Sequence, residues 1–262
     1  VTPLDCQSLL IPNLDTRIPR DVVIAKSVSN LPVISLSNPH KVVFWGDSIT
    51  QNAADFYNDL FPNAQVLNYG VSGDPVAYWQ DTGRTQTLSN GTKTNVSLNS
   101  LIVAKPDLLF IRIGINDLVS YSMKTQLVQN YTAFLKKLRL SLPTTTIVIE
   151  SILPVNYSLE KNYIPAVLDP SLYGPVTNAD INYVNSQLQQ MAVANGTYFL
   201  WDNYTLADSA NSNWLAYAKL LNSGDGIHPT HAGYIILKHT LSYVFNGERT
   251  DLVTDYNKGV AQ

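Results

Sequence analysis

Short apolar runs and helically spaced apolar residues alternate along the chain from about residue 41 onward. Five runs of four to six residues are each bounded by glycine or polar residues, as buried parallel strands are. These runs are Val42–Trp45, Gln65–Tyr69, Leu108–Ile113, Thr146–Ile149 and Tyr198–Trp201. Between or after them, three segments show a helical period, at residues 123–138, 181–191 and 235–244. The alternation predicts an α/β domain with a parallel sheet covered by helices on both faces.

The ends of these helices are marked by local signals. Ser122 is a suitable N-cap for the first helix, and Leu142, which precedes a proline, marks its end. Asn195 and Gly196 stop the second helix. Residues 1–40 are rich in proline and lack either period, so we expect an extended N-terminal arm that packs on a domain formed by residues 41–262.

Composition narrows the classes of protein that the chain can be. It has 262 residues, 45% of them hydrophobic, which is enough for one substantial core. The net charge of −3 does not favour a nucleic acid partner, and no apolar run approaches the roughly 18 residues of a transmembrane helix. Cys6 is the only cysteine, so an intrachain disulfide and a multi-cysteine zinc site are excluded.

The chain contains more glycosylation sequons than chance provides for its composition. Six Asn-x-Ser/Thr sites begin at Asn90, Asn95, Asn130, Asn156, Asn195 and Asn203. We therefore expect an exported protein.

Three of the predicted strands run directly into polar turns that contain glycine. The turns are Gly46–Ser48, Gly70–Asp74 and Gly114–Asp117. Ligands of parallel sheets bind beyond the carboxyl ends of the strands, so all three turns should lie on one rim. Each turn alone is ordinary capping or turn chemistry, and so is the segment Asp225–Pro229 before the last helix.

Taken together, the four segments resemble the SGNH, or GDSL-like, family of hydrolases. The resemblance runs from about Lys41 to Phe245 and matches Gly-Asp-Ser at 46–48, a glycine at Gly73, an asparagine at Asn116, and Asp-x-x-His at 225–228. It implies a single three-layer α/β/α domain with a five-stranded parallel sheet in flavodoxin-like order.

The resemblance also implies a serine hydrolase mechanism without a metal or cofactor. Ser48 would be the nucleophile, His228 the general base and Asp225 its partner. The backbone N–H groups of Ser48 and Gly73 and the side-chain amide of Asn116 would form the oxyanion hole. Expected substrates are small acyl esters, including O-acetylated carbohydrate, and a monomer is favoured. Lysophospholipids and acyl transfer to an alcohol remain alternatives for the same triad.

Two readings from other classes compete with a serine hydrolase. Asp225, His228 and His231 have the spacing of metal ligands, which would suit a mononuclear zinc hydrolase. A binding module that keeps the fold without catalysis is the second alternative. Activity that survives a chelator argues against the first, and ester hydrolysis that is lost in Ser48→Ala argues against the second.

One charged residue stands inside an apolar strand. Arg112 should not be buried without a partner, and Glu150 lies at a comparable height in the next strand. We expect the two to form an ion pair near the rim that supports the Asn116 loop. The alternative is that Arg112 contacts an anionic substrate.

Overall fold

A computed structural model of the chain describes most of the domain and none of the predicted arm before residue 39. The described residues are 39–53, 56–80, 84–87, 93–119, 124–155, 178–202, 225–245 and 253–254. Residues 1–38 of the arm, Cys6 among them, therefore lie outside the described residues, and the packing of the arm on the domain stays a prediction.

The strands follow the apolar runs of the sequence closely. In chain order they are β1 (Lys41–Gly46), β2 (Gln65–Gly70), β3 (Arg84–Thr87), β4 (Lys93–Val96), β5 (Leu108–Arg112), β6 (Thr146–Glu150), β7 (Tyr198–Leu200) and β8 (Val253–Thr254). All residues of β5 and β6 are buried, which requires cover on both faces of the sheet.

The main sheet has the predicted parallel core and one additional edge strand. Its order is β2-β1-β5-β6-β7-β8, and the first five strands pair in parallel. Counted among themselves in chain order, these five give the order 2-1-3-4-5 of the flavodoxin-like fold, as expected. The five parallel strands are those expected, and β8 extends the sheet by pairing antiparallel with β7 at the edge. A separate antiparallel hairpin, β3–β4, was not predicted.

Six α-helices accompany the described strands. They are α1 (Ser48–Asn52), α2 (Leu98–Ala104), α3 (Ile115–Val119), α4 (Lys124–Ser141), α5 (Asn178–Ala194) and α6 (His231–Phe245). No helix among the described residues is long and apolar enough to cross a membrane. Together the helices and the sheet form a single three-layer α/β/α domain.

The helix ends agree with the local signals where the structure describes them. Helix α4 ends at Ser141, one residue before Leu142, whereas Ser122 lies outside the described residues. Gly196 has a φ of 64° and follows the end of α5 as a left-handed stop. In α6 the buried apolar face is formed by Tyr234, Leu237 and Leu241.

Candidate active site

The first three sequence segments meet because their strands are neighbours in the sheet. Gly46, at the end of β1, pairs with Gly70 at the end of β2 and with Arg112 at the end of β5. The N–H of Val71 donates to the Gly46 carbonyl oxygen at 2.9 Å. The turns that follow these strands therefore lie on one rim of the sheet, as the sequence predicts.

Two glycines allow the strand ends and α1 to approach this closely. A Cβ at Gly46 would lie 2.0 Å from the Arg112 carbonyl oxygen, and one at Gly70 would lie 2.2 Å from the backbone nitrogen of Gln51. Real Cβ atoms do not approach backbone atoms so closely. The two glycines thus set the position of the turn that carries Ser48.

Asp47 caps α1 and leaves the Ser48 hydroxyl available for another partner. The Asp47 side chain accepts a hydrogen bond from the N–H of Ile49 at 2.9 Å, the usual role of an N-cap aspartate. Ser48 is the first residue of the helix and is 8% exposed. Capping and a second role for the neighbouring serine are therefore compatible in this turn.

The segment before α6 holds an imidazole through one aspartate. Asp225 Oδ1 accepts hydrogen bonds from the N–H groups of Ile227 at 2.8 Å and His228 at 3.0 Å, and Asp225 Oδ2 lies 2.7 Å from His228 Nδ1. Burial acts to raise the pKa of Asp225, but these bonds together keep it below its ordinary value. An ionised Asp225 only accepts, so the proton of the neutral His228 ring lies on Nδ1.

The serine and the histidine meet although 180 positions separate them. His228 Nε2 lies 2.7 Å from Ser48 Oγ, and with Nδ1 protonated the serine hydroxyl donates to Nε2. The side chains of His228 and Asp225 are 18% and 15% exposed, so the group is open to solvent at its edge. The arrangement can remove a proton from the hydroxyl as that oxygen attacks an electrophile.

The two other residues implied by the resemblance belong to the neighbouring turns. Gly73 is exposed, has a φ of 81°, and an added Cβ would meet nothing within 4 Å. The Asn116 amide donates to the Asp74 carbonyl oxygen at 3.1 Å, and the N–H of Val76 donates to Asp117 Oδ2 at 2.9 Å. Helix α3 therefore fastens the turn that carries Gly73, and one of the two amide N–H groups of Asn116 is already used.

Two buried carboxyl groups flank this rim. Burial raises the pKa of Asp117 from 3.8 to about 7, against the lowering effect of the Val76 N–H. Burial likewise raises the pKa of Asp47 to about 6. Asp117 is 0% exposed, and its Oδ1 has no hydrogen-bond partner. A protonated carboxyl suits that site better than a charged one.

The predicted pair of Arg112 and Glu150 is present and has a third member. Arg112 Nη2 lies 2.6 Å from Glu150 Oε1, and the same nitrogen donates to Asp202. Ser151 donates to the other Asp202 oxygen at 2.8 Å. Burial raises the pKa of both carboxyls, and Arg112 opposes that rise. Asp202, which follows β7, is not predicted from the sequence as a partner of Arg112.

The surroundings of Arg112 decide between its two expected roles. Its side chain is 4% exposed, which leaves little surface for an anionic substrate. Its carbonyl oxygen accepts a hydrogen bond from Thr50 Oγ1 at 3.2 Å. The backbone of Arg112 therefore holds the turn of α1, and support of the Asn116 loop by its ion pair stays a prediction.

The three residues considered as metal ligands do not form a cluster. Among the described residues, no group of three or more His, Cys, Asp or Glu side chains has the arrangement to hold a metal ion. Asp225 and Ser48 occupy the two nitrogens of His228. His231 is the first residue of α6, and the centroid of its ring lies 5.1 Å from that of Phe56.

Solved structures share the fold at low sequence identity, and no curated protein matches the chain by sequence. A Parabacteroides merdae ATCC 43184 protein assigned as a GDSL-like lipase is 19% identical, with a TM-score of 0.57 over 83% of this chain and 100% of that one. A Streptococcus pneumonia protein assigned as a platelet activating factor is 23% identical, with a TM-score of 0.54 over 81% and 86%. An acetyl-xylooligosaccharide esterase from Geobacillus Stearmophilus is 15% identical, with a TM-score of 0.53 over 87% and 100%.

The family itself is shown by sequence. The model of the GDSL-like Lipase/Acylhydrolase family matches residues 44–236, which include the strand ends, the turns and the Asp225–His228 segment described above. The chain belongs to the GDSL-like lipase/acylhydrolase family and is an ester hydrolase of that family.

Proposed function

We propose that the protein hydrolyses carboxylic esters of small acyl groups through a covalent acyl-serine, with Ser48 as nucleophile. The observation that carries the proposal is the continuous line of hydrogen bonds from Ser48 Oγ through the His228 ring to Asp225, with 2.7 Å at each contact. A serine hydroxyl attacks an ester carbonyl only when a base takes its proton, and His228 Nε2 is placed to do so.

In the first half of the reaction, Ser48 Oγ bonds to the carbonyl carbon and its proton passes to His228 Nε2. The imidazolium that results is stabilised by the Asp225 carboxylate. When the tetrahedral intermediate collapses, the bond from carbon to the leaving oxygen breaks and His228 returns the proton to that oxygen. The alcohol leaves, and the acyl group stays on Ser48.

The negative oxygen of the intermediate needs preorganised donors. We assign this role to the backbone N–H groups of Ser48 and Gly73 and to the Asn116 amide. One amide N–H of Asn116 donates to the Asp74 carbonyl oxygen and so fixes the orientation of the amide group. The second N–H of the same amide can then donate to the oxyanion. The two hydrogen bonds between α3 and the turn at 74–76, one donated from each side, support the assignment, since they hold two of the three donors as one unit.

In the second half, water replaces the alcohol. His228 takes a proton from the water while the water oxygen attacks the acyl carbon. The bond between the acyl carbon and Ser48 Oγ then breaks, and His228 returns the proton to Ser48 Oγ. An acceptor alcohol in place of water would give acyl transfer. The partial exposure of His228 and Asp225 supports hydrolysis, because water reaches the edge of the site.

The expected substrate is a short acyl ester, including acetyl groups on carbohydrate. One supporting observation is the fold shared with the Geobacillus Stearmophilus protein named as an acetyl-xylooligosaccharide esterase. Fold alone does not set a substrate pocket, so a direct comparison of substrates is required.

The substrate class is tested with nitrophenyl esters of increasing acyl length, run beside acetylated xylan and a lysophospholipid. We expect kcat/KM to be highest for acetyl or butyryl and to fall for long chains. A preference for the lysophospholipid would favour the lipase alternative, and ester product formed with added alcohol would favour transfer. Neither result would remove Ser48 from its role.

The role of the triad is tested with Ser48→Ala, which should abolish turnover. Ser186→Ala is a matched control, because Ser186 lies in α5 and donates to Asn182 within that helix at 2.9 Å. We expect the control to keep wild-type kcat. Activity that survives in Ser48→Ala would contradict the proposal, and an inactive wild-type protein that ignores serine-reactive phosphonates would favour a binding module.

We also propose that the protein is exported and monomeric. The sequons support export, and of these Asn95 is exposed on β4. Glycan mass on the secreted protein and its mass in solution test the two proposals.

A further inference from the structure

Ser48 lies at the start of one helix, and His228 lies in the segment just before the start of another. Ser48 is the first residue of α1, and His228 lies three residues before His231, where α6 begins. Within the part of the chain that the structure describes, the buried side chain of Tyr234 joins these two helices. The Tyr234 hydroxyl, on the first turn of α6, donates to the Ile49 carbonyl oxygen at 3.0 Å.

The Ile49 carbonyl is left open by the way α1 ends. In a longer α-helix the N–H of Ala53 would donate to it, but that N–H donates to the Thr50 carbonyl oxygen instead, at 3.1 Å. The helix is only five residues long, so its carbonyls need partners from elsewhere. Tyr234 supplies one of them.

The ring of Tyr234 is fixed as well as its hydroxyl. The residue is 4% exposed, and its ring stacks on that of Phe56 with centroids 4.9 Å apart and planes 24° from parallel. Phe56 follows α1, and its N–H donates to the Ala53 carbonyl oxygen at 2.9 Å. Burial raises the pKa of the phenol, so the hydroxyl keeps its proton and stays a donor.

We propose that Tyr234 is a positioning residue that sets the distance between Ser48 Oγ and His228 Nε2 by fastening the start of α6 to α1. The inference rests on the proposed function of Ser48 and His228. Tyr234 does not contact the reacting atoms, because its hydroxyl faces the carbonyl of Ile49. Its effect reaches catalysis through the placement of the imidazole.

Placement of this kind acts on the chemical step rather than on substrate binding. A shift of about 1 Å in a catalytic group costs on the order of 100-fold in rate. Without the hydroxyl, the first turn of α6 loses its hydrogen bond to α1 while the ring keeps its stacking on Phe56. We therefore expect Tyr234→Phe to lower kcat by roughly 10- to 100-fold with KM changed by less than about 2-fold.

The matched control is Thr240→Val. Thr240 lies on the same helix, is buried, and donates through its hydroxyl to the Ile236 carbonyl oxygen at 2.9 Å, so it makes the same kind of bond without a link to α1. We expect Thr240→Val to keep wild-type kcat even if its melting temperature falls as much as that of Tyr234→Phe.

The experiment measures kcat and KM for nitrophenyl acetate and the rate of Ser48 modification by a phosphonate, for the wild type, Tyr234→Phe, Thr240→Val and Ser48→Ala. All are assayed well below the melting temperature of the least stable variant. We expect slower turnover and slower phosphonate labelling in Tyr234→Phe than in the wild type and in Thr240→Val. The Ser48→Ala variant should be inactive. If Tyr234→Phe labels and turns over like Thr240→Val, the inference is overturned.

The activities of the wild type and of Ser48→Ala show whether the proposed function itself holds, independently of the role of Tyr234. A wild type without activity, or an active Ser48→Ala, would overturn the proposed function and the inference with it. If Tyr234→Phe does not fold, Phe56→Leu provides the second test, because the stacking on Phe56 holds the ring that carries the hydroxyl, and its loss loosens the hydrogen bond to Ile49. A fall in kcat with KM unchanged is again expected, and no change in kcat contradicts the inference.

Discussion

Asp117 offers a test of the electrostatics of the rim, because it places a carboxyl group out of contact with water. Its Oδ2 accepts from the N–H of Val76, its Oδ1 has no partner, and its pKa rises from 3.8 to about 7 by burial. Asp117→Asn keeps the shape of the side chain and an oxygen that accepts from the N–H of Val76, but the amide does not titrate. The variant should be more stable than the wild type at pH 8 and similar to it below pH 4.

The direction of this pH dependence follows from the protonation of Asp117 in the folded and in the unfolded protein. Unfolded Asp117 ionises above its ordinary pKa of 3.8, whereas the folded residue keeps its proton until about pH 7. Unfolding therefore releases a proton between these values, and the wild type loses stability as pH rises through that range. With about 1.4 kcal/mol for each pKa unit, the loss between pH 5 and pH 8 is about 3 kcal/mol.

The assay is urea unfolding of both proteins at pH 5, 6, 7 and 8. The unfolding free energy of Asp117→Asn minus that of the wild type should increase by about 3 kcal/mol over this range and level off above pH 7. Thr240→Val, which has no titratable group at the altered position, should show an offset that does not change with pH. A constant difference for Asp117→Asn, or one that decreases with pH, would refute the reasoning.

Three further substitutions probe other parts of the site. Asn116→Ala removes a proposed oxyanion donor and should lower kcat by about 100- to 1,000-fold, measured with nitrophenyl acetate; a kcat within a factor of three would remove Asn116 from that role. Arg112→Met leaves its two buried carboxylate partners without a cation and should cost about 3–5 kcal/mol in urea unfolding, more at pH 8 than at pH 5, because protonation neutralises them. Gly46→Ala places a Cβ 2.0 Å from the Arg112 carbonyl oxygen, whereas one at Gly196 meets nothing within 4 Å and only the φ of 64° opposes it. Gly46→Ala should therefore melt far below Gly196→Ala, and equal melting temperatures would contradict the packing described.

The fold could be predicted where the buried side chains of a strand or helix give a regular pattern of apolar residues in the sequence. Four of the five parallel strands are buried and apolar and are visible as runs, whereas β2, at the edge of the sheet, is only partly buried. Strand β3 reads Arg-Thr-Gln-Thr and β4 reads Lys-Thr-Asn-Val, without an apolar run to mark either. The hairpin is joined to the sheet by polar contacts such as that of Gln86 with Asn68 at 3.0 Å, which no period reveals.

The site could be predicted where its residues lie in short local motifs. Ser48 and His228 stand in such motifs, and the structure brings them into contact. Asp202 was missed although it carries the signal that led to Arg112, a charge at the end of an apolar strand. Tyr234 has no local signal, because its role depends on a contact between residues 185 positions apart.

The central claim is that Ser48 is the nucleophile and that His228 activates it. The most direct measurement is the site and rate of modification by a nitrophenyl phosphonate, followed by peptide mass mapping, in the wild type and in His228→Ala. The account predicts one phosphonyl group, on the peptide that contains Ser48, and labelling at least about 100-fold slower in His228→Ala. A label on another residue, or labelling at the wild-type rate in His228→Ala, would contradict it.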